Sequence, residues 1–322
     1  MIETRGLTKR YGETTAVDDL SFIVEPGRVT GFLGPNGSGK STTMRMILGL
    51  DRPTAGMALV NGRPYQDLKD PLRTIGALLD AKWVHPNRSA RAHLRWLAAT
   101  NRIPAARIDA VLDQVGLTAV ADRRAGAFSL GMAQRLGIAA ALLGDPEILL
   151  FDEPVNGLDP EGIVWIRQFM KQLAGEGRTI LVSSHLLPEM ALTASDLVVI
   201  GRGRLITAAS TTDFVESASH STVRVGTLQI EELTGALRGA GVPVEPDPEK
   251  DFSLIVSGTN IARVGVLAAD AGVVLTELSV QQGSLEDAFM HITGHDIEYT
   301  AGGSAEGSDR IPALAGAGRW TR

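Results

Sequence analysis

The sequence predicts an α/β protein that is built around a phosphate-binding loop and followed by a small α+β domain. Three observations support this prediction. Continuous apolar runs at Val29–Leu33 and Thr179–Ser183 are typical of buried parallel strands. A glycine-rich loop separates the first of these runs from a helical segment, Thr42–Gly49. After residue 221, short strands and helices follow the order β-α-β-β-α-β, which is ferredoxin-like.

The length and composition fit a globular protein with two domains. The chain has 322 residues, of which 44% are hydrophobic and 21% are charged, and this excludes global disorder. A polar stretch of small residues at 216–222 indicates a boundary. We therefore expect domains at 1–220 and 221–298. They are followed by a Gly- and Ala-rich segment at 299–322, which we expect to be a disordered tail.

The composition also excludes several classes of site. The chain has no cysteine, which rules out disulfides, thiolate zinc sites and a cysteine nucleophile. Residues 1–220 carry 24 Lys/Arg against 23 Asp/Glu, and residues 221–298 carry 4 against 12, so we expect no nucleic-acid partner. No apolar run approaches the ~18 residues of a membrane-spanning helix. Residues 1–12 lack the apolar core of a signal peptide, so we expect a cytosolic protein.

Strands and helices alternate along the first domain. Short extended runs such as Ser21–Val24 open the chain, and Ser89–Leu143 is helical and rich in Ala, Leu and Arg. Glu147–Phe151 reads as a buried strand, and Pro160–Ala174 as a helix. In the second domain we predict strands at Thr222–Val225, Val242–Glu245, Phe252–Ser257 and Val273–Val280, and helices at Ile230–Gly239, Asn260–Ala271 and Ser284–Ile292.

A nine-residue segment, GPNGSGKST, matches the phosphate-loop pattern G-x-x-x-x-G-K-[ST] without a mismatch. Glycines allow successive backbone N–H groups to surround phosphate oxygens at the start of a helix. Lys40 is expected to reach the β- and γ-phosphates, and the Ser41 hydroxyl to bind Mg²⁺. The predicted nucleotide-binding residues of this loop are Gly34, Pro35, Asn36, Gly37, Ser38, Gly39, Lys40, Ser41 and Thr42.

Two carboxylates follow a predicted buried strand. Asp152 and Glu153 come directly after Phe151. In a phosphate-loop enzyme, a carboxylate at this position holds Mg²⁺ and another polarises the attacking water. We therefore expect Asp152 to be a metal ligand and Glu153 to be catalytic. Acidic residues also end strands without any function, so this prediction depends on the phosphate loop.

Three further motifs appear in order: FSLGMAQR at Phe128–Arg135, NGLD at Asn156–Asp159 and SSH at Ser183–His185. Together with the phosphate loop and the carboxylate pair, they resemble the ATP-binding cassette (ABC) ATPases over residues 1–220. The resemblance implies a RecA-like core with an antiparallel β subdomain and a helical subdomain. It also implies hydrolysis of ATP with Mg²⁺.

The resemblance assigns roles to residues outside the phosphate loop. Tyr11 matches the aromatic residue that stacks on adenine, although a surface tyrosine in a turn is the alternative. Ser129 and Gly131 match groups that bind the γ-phosphate of an ATP held by a second copy. Asp159 matches a residue that links the two sites across the interface, and His185 matches a histidine that contacts the γ-phosphate. A homodimer with two shared sites is therefore implied.

Two departures from the family pattern narrow the resemblance. The FSLGMAQR segment matches the family's signature motif, and it reads Ser-Leu-Gly-Met at Ser129–Met132 where Ser-Gly-Gly-Gln is commonest. Asp80 stands where the family usually has a glutamine that reaches the metal. Both features resemble those of a bacterial subgroup that exports drugs, antibiotics or lantibiotics. Leu285–Gly294 also resembles the closing segment of daunorubicin-resistance-type export ATPases. Asp80 is kept as a candidate metal ligand, although its side chain is shorter than that of glutamine.

The resemblance further implies a separate membrane permease, with this chain on the inner face of the membrane and a small hydrophobic molecule, such as a drug, antibiotic or lipid, as cargo. In the family, the region that corresponds to Ala81–Ala99 forms a groove that receives a helix of the membrane subunit. Trp83 is the candidate contact with the permease, and a tryptophan packed in the core of the helical subdomain is the alternative. Two other functions are considered. One is a non-transport ABC ATPase that acts on ribosomes or DNA, and the other is a subunit that binds ATP without hydrolysing it.

Overall fold

The computed structural model describes residues 1–80, 84–218, 222–248 and 250–281. These residues form three sheets of three, six and four strands. The strands before residue 219 are β1 Ile2–Tyr11, β2 Thr14–Val24, β3 Val29–Leu33, β4 Ala55–Val60, β5 Ile75–Leu78, β6 Ile148–Phe151, β7 Thr179–Ser184, β8 Asp196–Gly201 and β9 Arg204–Ser210. The helices there are α1 Lys40–Ile47, α2 Pro71–Thr74, α3 Ala90–Thr100, α4 Ala106–Gln114, α5 Leu130–Leu142, α6 Pro160–Gly175, α7 Leu187–Ala191 and α8 Thr211–Ala218.

The six-stranded sheet has the order β5-β6-β7-β3-β8-β9, and all its neighbours run parallel except β8 and β9. Every residue of β3, β6 and β7 is buried, as expected for a parallel sheet that is covered on both faces. This arrangement brings the carboxyl ends of β3, β5, β6 and β7 to one edge. The phosphate loop, Asp80, the carboxylate pair and the Ser-Ser-His motif all follow these strands.

Two smaller units flank this sheet. The antiparallel sheet β2-β1-β4 supplies one face of a shared core with Phe32 and Leu181. Helices α3, α4 and α5 pack on the other side around fully buried residues such as Leu94 and Leu112. Ser89 caps α3 by accepting a hydrogen bond from the backbone N–H of Ala92. The predicted α/β core with antiparallel and helical subdomains is therefore confirmed.

The third sheet lies beyond residue 221 and has its own hydrophobic cluster. Its strands are β10 Thr222–Thr227, β11 Val244–Pro246, β12 Ser253–Val256 and β13 Leu275–Gln281, and its helices are α9 Ile230–Gly239 and α10 Ile261–Asp270. The sheet order is β11-β12-β10-β13, and every pair is antiparallel. The predicted β-α-β-β-α-β order is confirmed for these elements.

The starts of three strands in this sheet were predicted wrongly. Strand β13 begins at Leu275 and not at Val273. Strand β11 begins at Val244 and not at Val242, since Pro243 has no N–H for the ladder. Strand β12 begins at Ser253, because Phe252 has a φ of 59°, in the left-handed region. The predicted helix Ser284–Ile292 and the predicted tail lie outside the described residues. Among the described helices, none has both the length and the apolar character needed to cross a membrane.

Candidate functional site

The phosphate loop connects β3 to α1 in a compact turn. Gly37 and Gly39 have φ values of 83° and 102°, a backbone conformation that residues with a side chain rarely adopt. A Cβ on Gly34 would lie 2.4 Å from the Ser38 hydroxyl oxygen, so glycine is needed there to make room for Ser38. Within the part of the chain that the structure describes, that buried hydroxyl has no hydrogen-bond partner. An unpaired donor in a glycine-lined turn suits a phosphate oxygen.

Lys40 begins α1 and is almost fully buried. Its Nζ donates hydrogen bonds to the carbonyl oxygens of Gly34 (2.7 Å) and Pro35 (3.2 Å). The same Nζ lies 3.5 Å from Oε1 of Glu153. Burial lowers the pKa of the Lys40 ammonium group, and the charge of Glu153 opposes this effect. The cation is therefore held over the turn by carbonyl oxygens and one carboxylate.

The two carboxylates after β6 are fixed by the neighbouring strand β7. The Ser183 hydroxyl donates to Oδ1 of Asp152 (2.5 Å) and accepts from the backbone N–H of Glu153 (2.8 Å). Ser183 itself is fully buried. One hydroxyl therefore fixes both the Asp152 side chain and the Glu153 backbone. The sequence motif contained Ser183, but its hydrogen bonds could not be read from the sequence.

Glu153 lies between Lys40 and His185. Its φ of 47° is unusual for a residue with a side chain. Oε2 of Glu153 lies 2.9 Å from Nδ1 of His185, while Oε1 faces Lys40. Strained backbone at a chemically reactive group is a common feature of active sites. The structure therefore brings Lys40, Glu153 and His185 together at one edge of the sheet.

Asp80 lies at the same edge, one strand farther out. Strand β5 pairs in parallel with β6 so that Leu78 is opposite Phe151. Asp80 therefore follows β5 by the same number of residues as Glu153 follows β6. Among the described residues, no three carboxylate or imidazole groups form a metal-binding cluster. Mg²⁺ is commonly held by one or two protein carboxylates together with substrate phosphates and water.

Tyr11 ends β1 near the start of α1. Its hydroxyl donates to Oδ2 of Asp51 (3.1 Å), and Nζ of Lys9 lies 4.8 Å from the ring centre. Partial burial and the hydrogen bond with Asp51 raise the pKa of Tyr11, while an interaction with Thr42 lowers it. The ring is 49% exposed. An aromatic face is therefore available beside the phosphate-loop helix.

Ser129, Gly131 and Asp159 form a second group around a cleft of about 410 Å³. Ser129 caps α5 by accepting from the N–H of Met132 (3.2 Å). Asp159 caps α6 by accepting from the N–H of Gly162 (2.9 Å). Each cap begins a helix of at least 13 residues. The cleft is therefore lined by two helix N-termini, which attract negative charge.

An apolar groove of about 440 Å³ lies between β5 and α3. Part of its lining belongs to Ala81–Ala99, the segment in which the family resemblance implies a groove. Its wall includes Trp96, which is 51% exposed, and His93, which is buried. Within the described ranges, Nδ1 of His93 has no hydrogen-bond partner, and burial lowers the pKa of this imidazole. The guanidinium of Arg88 lies 5.0 Å from the centre of the Trp96 ring. The helical spacing of His93, Trp96 and Leu97 was the signal available in the sequence.

Two residues or segments singled out in the sequence lie outside the described residues. Trp83, the candidate contact with a membrane subunit, lies in the gap between residues 80 and 84. The segment Leu285–Gly294, which resembles export ATPases, lies beyond residue 281.

Comparison with known proteins agrees with the family resemblance of the sequence motifs. The sequence matches the family described as ABC transporter over residues 17–156 and a domain of unknown function (DUF8746) over residues 221–286. It is 34% identical over 304 residues to the bacitracin transport ATP-binding protein BcrA of Enterococcus faecalis, which covers 91% of this chain and 96% of that protein. It is 44% identical over 209 residues to BcrA of Bacillus licheniformis, with 64% and 68% covered.

Solved structures agree with these relatives. The dimeric structure of MJ0796, a bacterial ABC transporter cassette, superposes with a TM-score of 0.60 and 26% identity, and covers 66% of this chain and 99% of that chain. The similarity to the Enterococcus faecalis protein extends over almost the whole of both chains, and the cassette fold is the same. The chain belongs to the ATP-hydrolysing ATP-binding proteins of ABC transporters.

Proposed function

We propose that this chain binds ATP and Mg²⁺ at the edge of its parallel sheet, and that two copies share two ATP molecules to power export through a membrane subunit. The observation that carries the proposal is the convergence of Lys40, Glu153 and His185 beside the phosphate loop. A cation for the phosphates, a carboxylate and an imidazole at one place are the groups that ATP hydrolysis requires.

Hydrolysis would proceed by attack of water on the γ-phosphorus and release of ADP and phosphate. Glu153 is suited to accept the proton of that water, since its Oε1 and Oε2 lie between Lys40 and His185. His185 is 36% exposed, so its ring can also reach a phosphate oxygen. Lys40 would balance the charge of the β- and γ-phosphates. A subunit that only binds ATP would not require this arrangement.

The oxygen donors at the sheet edge fit Mg²⁺. Ser41 offers an exposed hydroxyl on the first turn of α1, and Asp152 offers a carboxylate that is oriented by Ser183. Asp80 offers a second carboxylate on the neighbouring strand. When bound, Mg²⁺ neutralises charge on the β- and γ-phosphates. Asp80 would act through a metal-bound water, because its side chain is short.

The second nucleotide-facing group requires another copy of the chain. Ser129, Gly131 and Asp159 face a separate cleft with two helix N-termini, and we infer that the γ-phosphate of the partner copy's ATP binds there. The dimeric form of the related MJ0796 cassette supports this inference. Tyr11 would stack on the adenine of the ATP held by its own chain.

The apolar groove is our candidate docking site for the membrane subunit. Residues 69–107 carry 8 Lys/Arg against only 2 Asp/Glu, whereas the whole chain has a net charge of −6. Lys69, Arg73 and Arg102 are exposed and line a polar cleft that shares Leu72 with the groove. This pattern fits an apolar segment of the partner that is flanked by acidic residues. The chain would then lie on the inner face of the membrane.

The names of the relatives suggest the cargo. Both BcrA proteins are described as bacitracin transport proteins, so we propose that a small hydrophobic or amphipathic antibiotic is exported here. A role on ribosomes or DNA, the alternative function, is less well supported, since residues 1–220 carry 24 Lys/Arg against 23 Asp/Glu and so lack the basic excess of a nucleic-acid-binding protein.

Co-expression with the membrane subunit in a sensitive bacterium tests this proposal. Wild type should raise resistance to peptide antibiotics. Glu153→Gln should abolish resistance and lower turnover by ~10²–10⁴-fold, the usual contribution of a general base, yet remain bound to membranes. Trp96→Ala should instead release the chain from membranes while its ATP binding persists. Leu192→Ala, an exposed leucine outside the groove, is the control. Co-sedimentation of wild type with ribosomes and not membranes would overturn the transport assignment.

A further inference from the structure

The signature helix α5 and the loop before α6 are joined by two reciprocal contacts. Leu130 lies over Gly157, and a Cβ on Gly157 would be only 2.2 Å from Cδ2 of Leu130. Leu158 lies over Gly131, with its Cδ2 3.5 Å from the position of a Cβ there. Leu130 therefore occupies the space that Gly157 leaves open, whereas Leu158 touches Gly131 at an ordinary van der Waals distance. Leu130 stands where the commonest signature has a glycine, so this chain forms a contact that the commoner form lacks.

A third contact joins the same two helices one turn farther along. The guanidinium of Arg135 lies 3.8 Å from the centre of the Trp165 ring, a distance typical of a cation–π contact. Trp165 in turn stacks on Phe169, with 5.1 Å between ring centres. Arg135 also donates to the carbonyl oxygen of Val115 (2.9 Å). The bodies of α5 and α6 are therefore tied together, and the leucine pair ties their first residues.

These contacts connect two groups that face the same cleft. Ser129 caps α5 directly before Leu130, and Asp159 caps α6 directly after Leu158. Leu130 is 41% exposed, so its burial contributes little to the core. A role in positioning Ser129 and Asp159 therefore explains this partly exposed leucine better than hydrophobic burial does.

We propose that Leu130 is a positioning residue that makes the signature turn and Asp159 move as one unit. This inference rests on the proposed two-chain site. When Ser129 and Gly131 engage the ATP of the partner copy, the Leu130–Gly157 and Leu158–Gly131 contacts carry Asp159 to its place at the interface. Without them, the two nucleotide-facing groups would have to be ordered separately, and each dimerisation event would cost more conformational entropy.

The test uses the full chain with Glu153→Gln as background, so that ATP is bound and not consumed. Dimer formation is measured by sedimentation across a Mg²⁺-ATP titration, and nucleotide binding by the monomer is measured with a fluorescent ATP analogue. Leu130→Ala and Leu158→Ala each keep a good helix or loop residue but remove the interlocking carbons. Leu130→Met is the conservative variant, and Leu192→Ala is the matched control.

Both single variants should raise the ATP concentration for half-dimerisation by about tenfold, which corresponds to ~1.4 kcal/mol, while monomer binding of the analogue is unchanged. The double variant should raise the ATP concentration for half-dimerisation no more than the more affected single variant does, because both substitutions break the same contact between the two segments. Leu130→Met should retain most of the dimer, and the control should not differ from the background. Failure of the Glu153→Gln background to dimerise would refute the two-chain site itself.

Three results would overturn the positioning role while leaving the two-chain site intact. One is an unchanged half-dimerisation point in Leu130→Ala. Another is strict additivity of the two variants, which would make them independent packing contacts. The third is loss of folding in Leu130→Ala, visible by circular dichroism, which would assign the side chain to the fold.

Discussion

Ser183 shows how a single buried hydroxyl can organise two adjacent acidic residues. It donates to the Asp152 side chain and accepts from the Glu153 backbone across adjacent strands. Glu153 needs such support, because its φ of 47° is unfavourable for a residue with a Cβ. The direction of the Glu153 carboxylate towards His185 therefore depends on a residue that touches neither nucleotide nor metal in our proposal.

Ser183→Ala should lower kcat for ATP hydrolysis by roughly 10- to 150-fold, since the hydrogen bond to a charged group is worth ~1.5–3 kcal/mol. The KM for ATP should change little, as the phosphate loop is untouched. Ser184→Ala is the control, because the Ser184 hydroxyl accepts from the N–H of Leu186 (3.0 Å) and lies next in the same strand. Steady-state kinetics decide between the outcomes. A normal kcat in Ser183→Ala would show that Glu153 is positioned without this bond.

The residues of the candidate site could be predicted from the sequence to the extent that they belong to local motifs. Lys40, Asp152 and Glu153 stand next to strands whose apolar runs mark their carboxyl ends, and parallel pairing brings such ends together. The bond from Ser183 and the contact between Leu130 and Gly157 could not be predicted, because each joins segments that meet only after the chain has folded.

At the level of elements, the contact between β5 and α5 determines where the Asp80 loop lies. Gly76 in β5 packs so closely that a Cβ there would lie 2.0 Å from the carbonyl oxygen of Ala141 in α5. On the opposite side of the same contact, a Cβ on Gly137 would lie 2.5 Å from Cδ1 of Leu78. A strand and a helix can approach this closely only where side chains are missing.

Gly76→Ala should destabilise the first domain, because a backbone carbonyl cannot move aside as a flexible side chain can. Overpacking typically costs ~1–3 kcal/mol, which would lower the unfolding temperature by about 5 °C for a domain of this size. Gly175→Ala is the matched control, since nothing lies within 4 Å of its Cβ position. Differential scanning fluorimetry compares the two. Equal unfolding temperatures would mean that β5 and α5 can separate without cost.

Element boundaries were predictable where a strong local signal ends them. Strand β3 and helix α9 begin and end where the sequence predicted. The starts of β11 and β12 differed from the prediction, because a proline and a left-handed residue interrupted apolar runs that otherwise resemble strand. The family resemblance implied a groove within Ala81–Ala99, but the role of Trp96 in its wall was not predicted, since the groove forms between β5 and α3, which are separate in the sequence.

Considered as a whole, the described chain has a nucleotide-binding part and a distinct β-α-β-β-α-β part with its own hydrophobic cluster. Residues 221–298 carry 4 Lys/Arg against 12 Asp/Glu, and such a charge would repel ATP. We therefore propose that residues 221–298 form a separate domain that regulates or stabilises the dimer without binding nucleotide.

A chain that ends at residue 220 should accordingly bind ATP with an affinity within about twofold of the full chain, as every proposed nucleotide contact is retained. Its dimerisation or its support of export should be weaker. Calorimetric titration with ATP and Mg²⁺ measures the first quantity. A truncated chain that is folded but does not bind ATP would contradict the division into two domains with separate roles.

The central claim is that each ATP site is built from two chains, and mixing two inactive variants tests it most directly. Lys40→Ala should disable a chain's own phosphate loop, and Ser129→Arg should disable the surface that it offers to its partner by placing bulk and charge at the γ-phosphate. A mixed dimer then contains one site with both defects and one intact site. We expect ATP hydrolysis in the mixture that neither variant shows alone. No hydrolysis in a mixture that demonstrably forms mixed dimers would contradict the shared site, as would full hydrolysis by Ser129→Arg alone.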